Sequence, residues 1–474
     1  MINWNSGVAT LIGCLALQSP ASGQVAPVVK LTDLKYPPLA TLRPPEPERI
    51  ELSNGMVVFL LEDHEFPTVT AAARIHTGGR LEPIDQAGLA ALTGKVMRSG
   101  GTASLSPDQL DTQLDRIGAK VETEIGEGSG IAFMYSLKED APKILHILAD
   151  VMQHPAFPQD KIDLARTEIA SGIPRTGENM DRLALWETGR LIYGVDAAYS
   201  HTPSLGSLSS ITREDVVSFY KRYFQPEDVV IGIWGDFDKA QIRARIEEEF
   251  GNWPRGHQAR PETPPVDAAA FAARRGVYLA NQRAATNAIV TLAGLGGKRS
   301  DPDFQANIVL ARIISGRLRS RIRSNEGLAY TVYAVWSAQF DYPGMCLVRS
   351  DTKRDQILKV VNILNEELSS ITQNEVSDED LLFAKDFILK GSAFDFDSVD
   401  RIVSRFVDYQ YFGYRRDYIA DFHDKISRIT KSDLLRLARK YWNPKQLTFL
   451  IVGDVTGLEK PMSAFGSVKL IDIP

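Results

Sequence analysis

Residues 49–63 read RIELSNGMVVFLLED, with apolar positions alternating through Ile50 and Leu52, a break at Asn54-Gly55, and an apolar run from Met56 to Leu61. Asparagine and glycine both tolerate positive φ, so this pattern predicts a β-hairpin. The next stretch, TVTAAARIHTGGR, reads as a strand that ends at Gly78-Gly79. In DQAGLAALTGKVM the apolar residues Leu89, Leu92 and Val96 recur at three and four positions, which predicts a helix packed beside the hairpin and strand.

The same order of signals occurs twice. SSITREDVVSFYKRYFQPEDVVIGIWGDF (209–237) and SRITKSDLLRLARKYWNPKQLTFLIVGDV (427–455) align without a gap. In each, Ile-Thr opens a helix with an acidic first turn, an aromatic pair closes it, and a proline precedes an apolar strand ending in Gly-Asp. Thr212 and Thr430 have the chemistry of N-caps, because a hydroxyl can satisfy an orphan amide of the first turn. Pro226 and Pro444 stop the helix and begin the strand. Upstream, GIAFMYSLKEDAPKILHILADVM matches GMCLVRSDTKRDQILKVVNILNEEL as strand, polar turn and helix, and FPQDKIDLARTEIASG matches VSDEDLLFAKDFILKG. The chain is therefore read as α+β, two tandem homologous halves of antiparallel sheet with helices, spanning 45–251 and 276–474. The intervening 252–275 segment carries Pro254, Pro261, Pro264 and Pro265 and is expected to be a stiff, extended connector.

Composition narrows the partners more than the chemistry. The 474 residues are 44% hydrophobic and 24% charged, enough for more than one core and a hydrated surface. A net charge of −6 without a Lys/Arg block argues against nucleic acid. Residues 1–23, with an apolar run from Val8 to Leu17 followed by small residues, resemble a secretory signal peptide, so a periplasmic or secreted location is expected. The Leu11–Cys14 segment also resembles a lipoprotein processing box. No later run reaches the roughly 18 apolar residues that span a bilayer. The two cysteines, Cys14 and Cys346, cannot make a thiolate zinc site, and Cys346 in an apolar run reads as a buried small hydrophobe.

Taken together, the LSNGMVVFLLED hairpin, GGRLEP, GLAAL, the two Ile-Thr to Gly-Asp blocks and IRSNEGLAYTVYA resemble the insulinase, or pitrilysin, family of zinc peptidases. The group concerned includes mitochondrial processing peptidase and bacterial two-subunit relatives. The resemblance spans roughly residues 45 to 460 and implies two halves that face one another like a clamp. Active members carry His-x-x-Glu-His on the helix after GLA. Here those positions are Ala91, Gly94 and Lys95. An alanine methyl has no lone pair, glycine has no side chain to act as base, and an ammonium repels a divalent cation. Glu168 falls near the family's downstream ligand position, but one carboxylate does not hold zinc and it reads as a surface or packing residue. His64, His76, His146, His154, His201, His257 and His423 lie singly, without metal spacing. No Gly-x-Ser-x-Gly elbow is present.

The resemblance also implies a second constellation. Members carry an Arg and a Tyr seven positions apart in the C-terminal half, which here are Arg323 and Tyr330. A guanidinium and a phenol can bind a peptide carbonyl and stabilise the oxyanion that develops on it. Glu326 stands where relatives commonly have Arg. The combination implies the non-zinc subunit of a heterodimeric metalloendopeptidase that acts on unfolded peptides, with zinc and His-x-x-Glu-His in a homologous partner and no metal in this chain. The alternative is a catalytically inactive peptide-binding or structural protein of the same fold.

Overall fold

The computed structural model describes residues 44–173, 179–256, 262–283 and 285–471. The segment read as a signal peptide, with Cys14, and also His257 and Pro261, lie outside these residues. Each half contains a six-stranded sheet. The first comprises β1 (Glu48–Glu51), β2 (Val57–Glu62), β3 (Thr68–Ile75), β4 (Lys120–Ile125), β5 (Gly130–Leu137) and β6 (Val229–Gly235), in the order β1-β2-β6-β3-β5-β4. The second comprises β7 (Val277–Asn281), β8 (Asn287–Leu295), β9 (Val332–Ser337), β10 (Met345–Lys353), β11 (Thr448–Gly453) and β12 (Val468–Ile471), in the order β12-β7-β11-β8-β10-β9. Five strands superimpose in order; only the outer one differs, a preceding hairpin strand in one half and the C-terminal strand in the other. The duplication read from sequence is thus a duplication of topology.

Three local expectations need correction. The sheets are mixed rather than antiparallel, because β2 pairs with β6, and β7 with β11 and β12, in parallel. Most of each half lies between those paired strands, and so long a connection allows parallel neighbours. In the hairpin only Gly55 takes positive φ (+89°). Asn54 acts instead through its side chain, donating to the Phe250 and Trp253 carbonyls at 2.7 and 3.1 Å. The connector is not extended throughout: Ala268–Arg274 is a helix whose N-cap Asp267 accepts from the Ala270 amide at 2.9 Å, with Phe271 buried. An aspartate before an alanine run is a helix start that outweighs the upstream prolines.

The caps form as read. Thr212 and Thr430 each accept from the amide three residues on, and Asp215 and Asp433 return a bond to the cap's own amide. One face of each sheet is covered by its own half's helices, with Leu92, Val96, Ile144, Leu148, Val216 and Ile246 in the first core. The corresponding C-terminal core gathers Val309, Leu310, Val360, Leu364, Leu434 and Trp442.

The opposite faces are covered by exchange. The Val399–Phe412 helix of the C-terminal half lies on β6, where a Cβ at Gly232 would overlap Val403 and approach Val407 to 3.0 Å. Arg74 pairs with Asp408 at 2.5 Å, and the Tyr411 hydroxyl donates to the Ile75 and Gly128 carbonyls. Reciprocally, the Met180–Tyr193 helix of the N-terminal half places Leu183 and Ala184 against Tyr278, Ile289, Leu450 and Val452. Full burial of each large apolar side chain contributes about 1.5–3 kcal/mol, so these faces hold the halves together. Among the described residues no helix is long and apolar enough to cross a membrane.

Candidate functional site

The Leu89–Ser99 helix begins at Gly88, whose φ of +105° only glycine adopts readily. Its first amides are capped from upstream: the Glu82 carboxylate accepts from Gly88 at 2.9 Å and Ala90 at 2.8 Å. Burial pushes this carboxyl up to about 7, against the backbone donors Ala90, Gly88 and Leu89 that pull it down. Leu89, Leu92 and Val96 face the core, which turns Ala91 and Lys95 toward a cleft of about 630 Å³ also lined by Arg98, Glu122, Glu124 and Glu168.

That cleft collects the positions expected for a metal, and their chemistry does not fit one. Lys95 Nζ lies 2.7 Å from Glu168 Oε2, so the downstream carboxylate is engaged by an ammonium. Gly94 is buried against β4. A Cβ there would overlap the Ile125 amide nitrogen and come within 2.8 Å of Ile125 Cγ1 and 2.9 Å of the Glu124 carbonyl carbon. Thr123 Oγ1 donates to the Gly94 carbonyl at 2.7 Å and fixes this close approach. The helix therefore sits nearer β4 than any side chain at position 94 permits.

Arg323 and Tyr330 are brought together in the other half. The Phe304–Leu318 helix continues into a π-helical turn, Arg319–Asn325, which carries Arg323; the chain then reverses at Gly327, φ +63°, to reach Tyr330 ahead of β9. The Arg323 guanidinium carbon stands 4.7 Å from the Tyr330 ring centroid, and Tyr330 is 81% exposed. Both groups thus meet solvent as donors. Glu326 is drawn aside by Lys359 at 2.7 Å. Beside Tyr330 lies a cleft of about 420 Å³ lined by Asp181, Asn287, Thr331, Asp351 and Lys353. It shares no lining residue with the cleft at Lys95.

Asp181 at this second cleft was not singled out from the sequence. It arrives on the exchanged helix, where it pairs with Arg349, and no local pattern signals that meeting. The histidines are dispersed: His64, His146 and His154 pair with Asp236, Glu249 and Asp150, His423 contacts Ser392, and His76 stacks on Tyr411. Among the described residues no group of three or more His, Cys, Asp or Glu is arranged to hold a metal ion. Cys346 is buried and free, and burial pushes its thiol up to about 12.

Comparison with known proteins agrees with this architecture. The family model described as insulinase, peptidase family M16, matches residues 57–185, and that described as peptidase M16 inactive domain matches residues 210–387. An uncharacterized zinc protease of Bacillus subtilis, YmxG, is 23% identical over 355 residues, covering 73% of this chain and 83% of that one. A Helicobacter pylori protein named non-peptidase homolog YmxG is 21% identical over 416 residues, covering 85% and 93%. The crystal structure of a peptidase M16 inactive domain from Pseudomonas fluorescens has a TM-score of 0.74 at 21% identity, over 86% of this chain and 98% of that one. With two models of one family together matching most of the chain, residues 57–185 and 210–387, the protein belongs to the insulinase, or M16, peptidase family.

Proposed function

We propose that the chain is the non-zinc subunit of a heterodimeric M16 metalloendopeptidase, periplasmic or secreted, that acts on unfolded peptides. The observation that carries this reading is the exposed Arg323–Tyr330 pair in a chain whose own helix positions cannot ligate zinc. The partner is a homologous subunit with His-x-x-Glu-His and the zinc. This chain's part is binding and orientation: the guanidinium and phenol donate to a peptide carbonyl and hold the charge that grows on its oxygen, leaving proton transfer to other groups. A peptide held as an added strand would be gripped through its main chain, which tolerates varied sequences.

The test is recovery of the tagged full-length protein from its own cells, with native mass and zinc content measured. A second chain of similar size and about one zinc per pair supports the reading, since one tetrahedral site holds one ion. A metal-free chain alone or with itself refutes it. That outcome favours the second reading, an inactive peptide-binding or structural protein, which the relative named as a non-peptidase homolog supports.

A further inference from the structure

The helix that carries Arg323 presents more than one unpaired cation. Arg312, Arg319 and Arg323 are separated by seven and four positions, a spacing that brings them to one side of the helix. In keeping with that spacing, burial and then the charge of Arg319 hold the Arg312 guanidinium below its usual value. Among the described residues none of the three lies within ion-pair distance of a carboxylate. Their neighbours on the same helix are saturated: Arg317 binds Asp380 at 2.7 Å, and Arg321 binds Glu366 and Glu367 at 2.5 and 3.0 Å. Three guanidiniums without a carboxylate partner among the described residues thus fall along one helix and its π-helical extension.

Aromatic side chains stand at both ends of the row. Arg312 lies over Phe387 at 3.9 Å and Phe383 at 5.3 Å, rings that are 53% and 60% exposed, while its Nε is buried without a partner. Arg323 lies over Tyr330. Such stacking orients a guanidinium while leaving N–H groups free to bind an anion bidentately. The duplication sharpens the contrast. In the N-terminal half the cation facing the matching helix, Lys95, is neutralised by Glu168. In the C-terminal half Arg312 meets aromatic rings instead, and its charge stays available.

We infer that Arg312 and Arg319 extend the Arg323–Tyr330 pair into a subsite for acidic side chains of an extended peptide. At about 1.5 Å per α-helical residue and less in the π-helical turn, Arg319 and Arg312 lie about 5 and about 15 Å along the helix from Arg323. An extended peptide advances about 3.3 Å per residue, so the carboxylates it recognises fall about two and about five residues from the carbonyl held at Arg323. The inference rests on the reading of Arg323 and Tyr330 as peptide-binding groups. It names the substrate class, peptides with spaced Asp or Glu.

The experiment uses the full-length chain without a partner and a fluorescein-labelled extended peptide carrying Glu at those two spacings, compared by anisotropy with its Gln counterpart at low and physiological salt. The Glu peptide is expected to bind about tenfold tighter, with a preference that shrinks as salt rises. Arg312→Gln and Arg319→Gln should each reduce that preference about threefold, and Arg317→Gln should leave it unchanged. Equal affinity for the two peptides overturns the inference, as does a preference that survives the double variant. If the double variant, recovered tagged from its own cells, no longer brings the homologous partner while its peptide preference is intact, the row is a subunit contact and the peptide assignment is wrong. If no partner is ever recovered but the preference is present, the subsite stands and the heterodimer reading falls.

Discussion

Gly94, at the position of the motif's base, offers the sharpest test of how closely the helix is pressed against β4. A Gly→Ala change inside an exposed helix is worth about 1 kcal/mol in alanine's favour. Gly189, within the Met180–Tyr193 helix, has nothing within 4 Å of a built Cβ, so Gly189→Ala should gain about 0.5–1 kcal/mol. At Gly94 the same atom overlaps the Ile125 amide nitrogen and lies 2.8 Å from Ile125 Cγ1. The strand backbone must move, and β4 is bonded to β5 on one side and held through Thr123 to the helix. Overpacking of this kind costs about 1–3 kcal/mol, which outweighs the propensity gain. Urea unfolding of both variants at constant pH reads the difference. Gly94→Ala should unfold at lower urea than wild type and Gly189→Ala at higher. If Gly94→Ala is as stable as wild type, the helix is not pressed against β4 and the argument fails. The triple change Ala91→His, Gly94→Glu, Lys95→His should accordingly bind no stoichiometric zinc in equilibrium dialysis, because the Glu must enter the same space.

Three further outcomes are expected. In a complex reconstituted with the partner, Arg323→Ala and Tyr330→Phe should lower peptide turnover tens- to about a thousandfold, the range for loss of one oxyanion donor, and unchanged turnover with intact assembly removes them from the reaction. Glu82 titrates near 7 when folded, above its unfolded value of about 4.5, so its contribution is fully present below 4.5 and is lost as pH rises through 7. Unfolding free energy should fall by about 2–4 kcal/mol across that window, and Glu82→Gln should flatten this part of the profile. Lys95→Met should change stability by under about 1 kcal/mol, because Lys95 and Glu168 are 46% and 49% exposed and water screens the pair; a larger loss in chemical denaturation would mean the pair is more sheltered than its exposure indicates.

The duplication, the caps at Thr212 and Thr430, and the strand–helix order were legible because each depends on neighbours within a few positions. The mixed sheets were not, since a parallel pairing such as β2 with β6 joins residues from opposite ends of a half. The connector helix was readable in Asp267-Ala-Ala-Ala, but the prolines before it drew the reading toward an extended chain. For the candidate site, the family resemblance marked Ala91, Gly94 and Lys95 as the zinc-motif positions, and side-chain chemistry then gave the expectation that they hold no metal. The engagement of Lys95 with Glu168 and the closeness of β4 to Gly94 needed three dimensions. So did Asp181, which comes to the cleft beside Tyr330 only because its helix crosses between halves.

That crossing limits how the molecule can move. Separating the two sheets would pull Val403 and Val407 off β6 and Leu183 off β11 in the same stroke, breaking the Arg74–Asp408 pair as well. Neither half can swing away without stripping the other, so a hinge at the proline connector would have no low-energy path. On the proposed two-subunit reading, a polypeptide would therefore enter where one subunit meets the other.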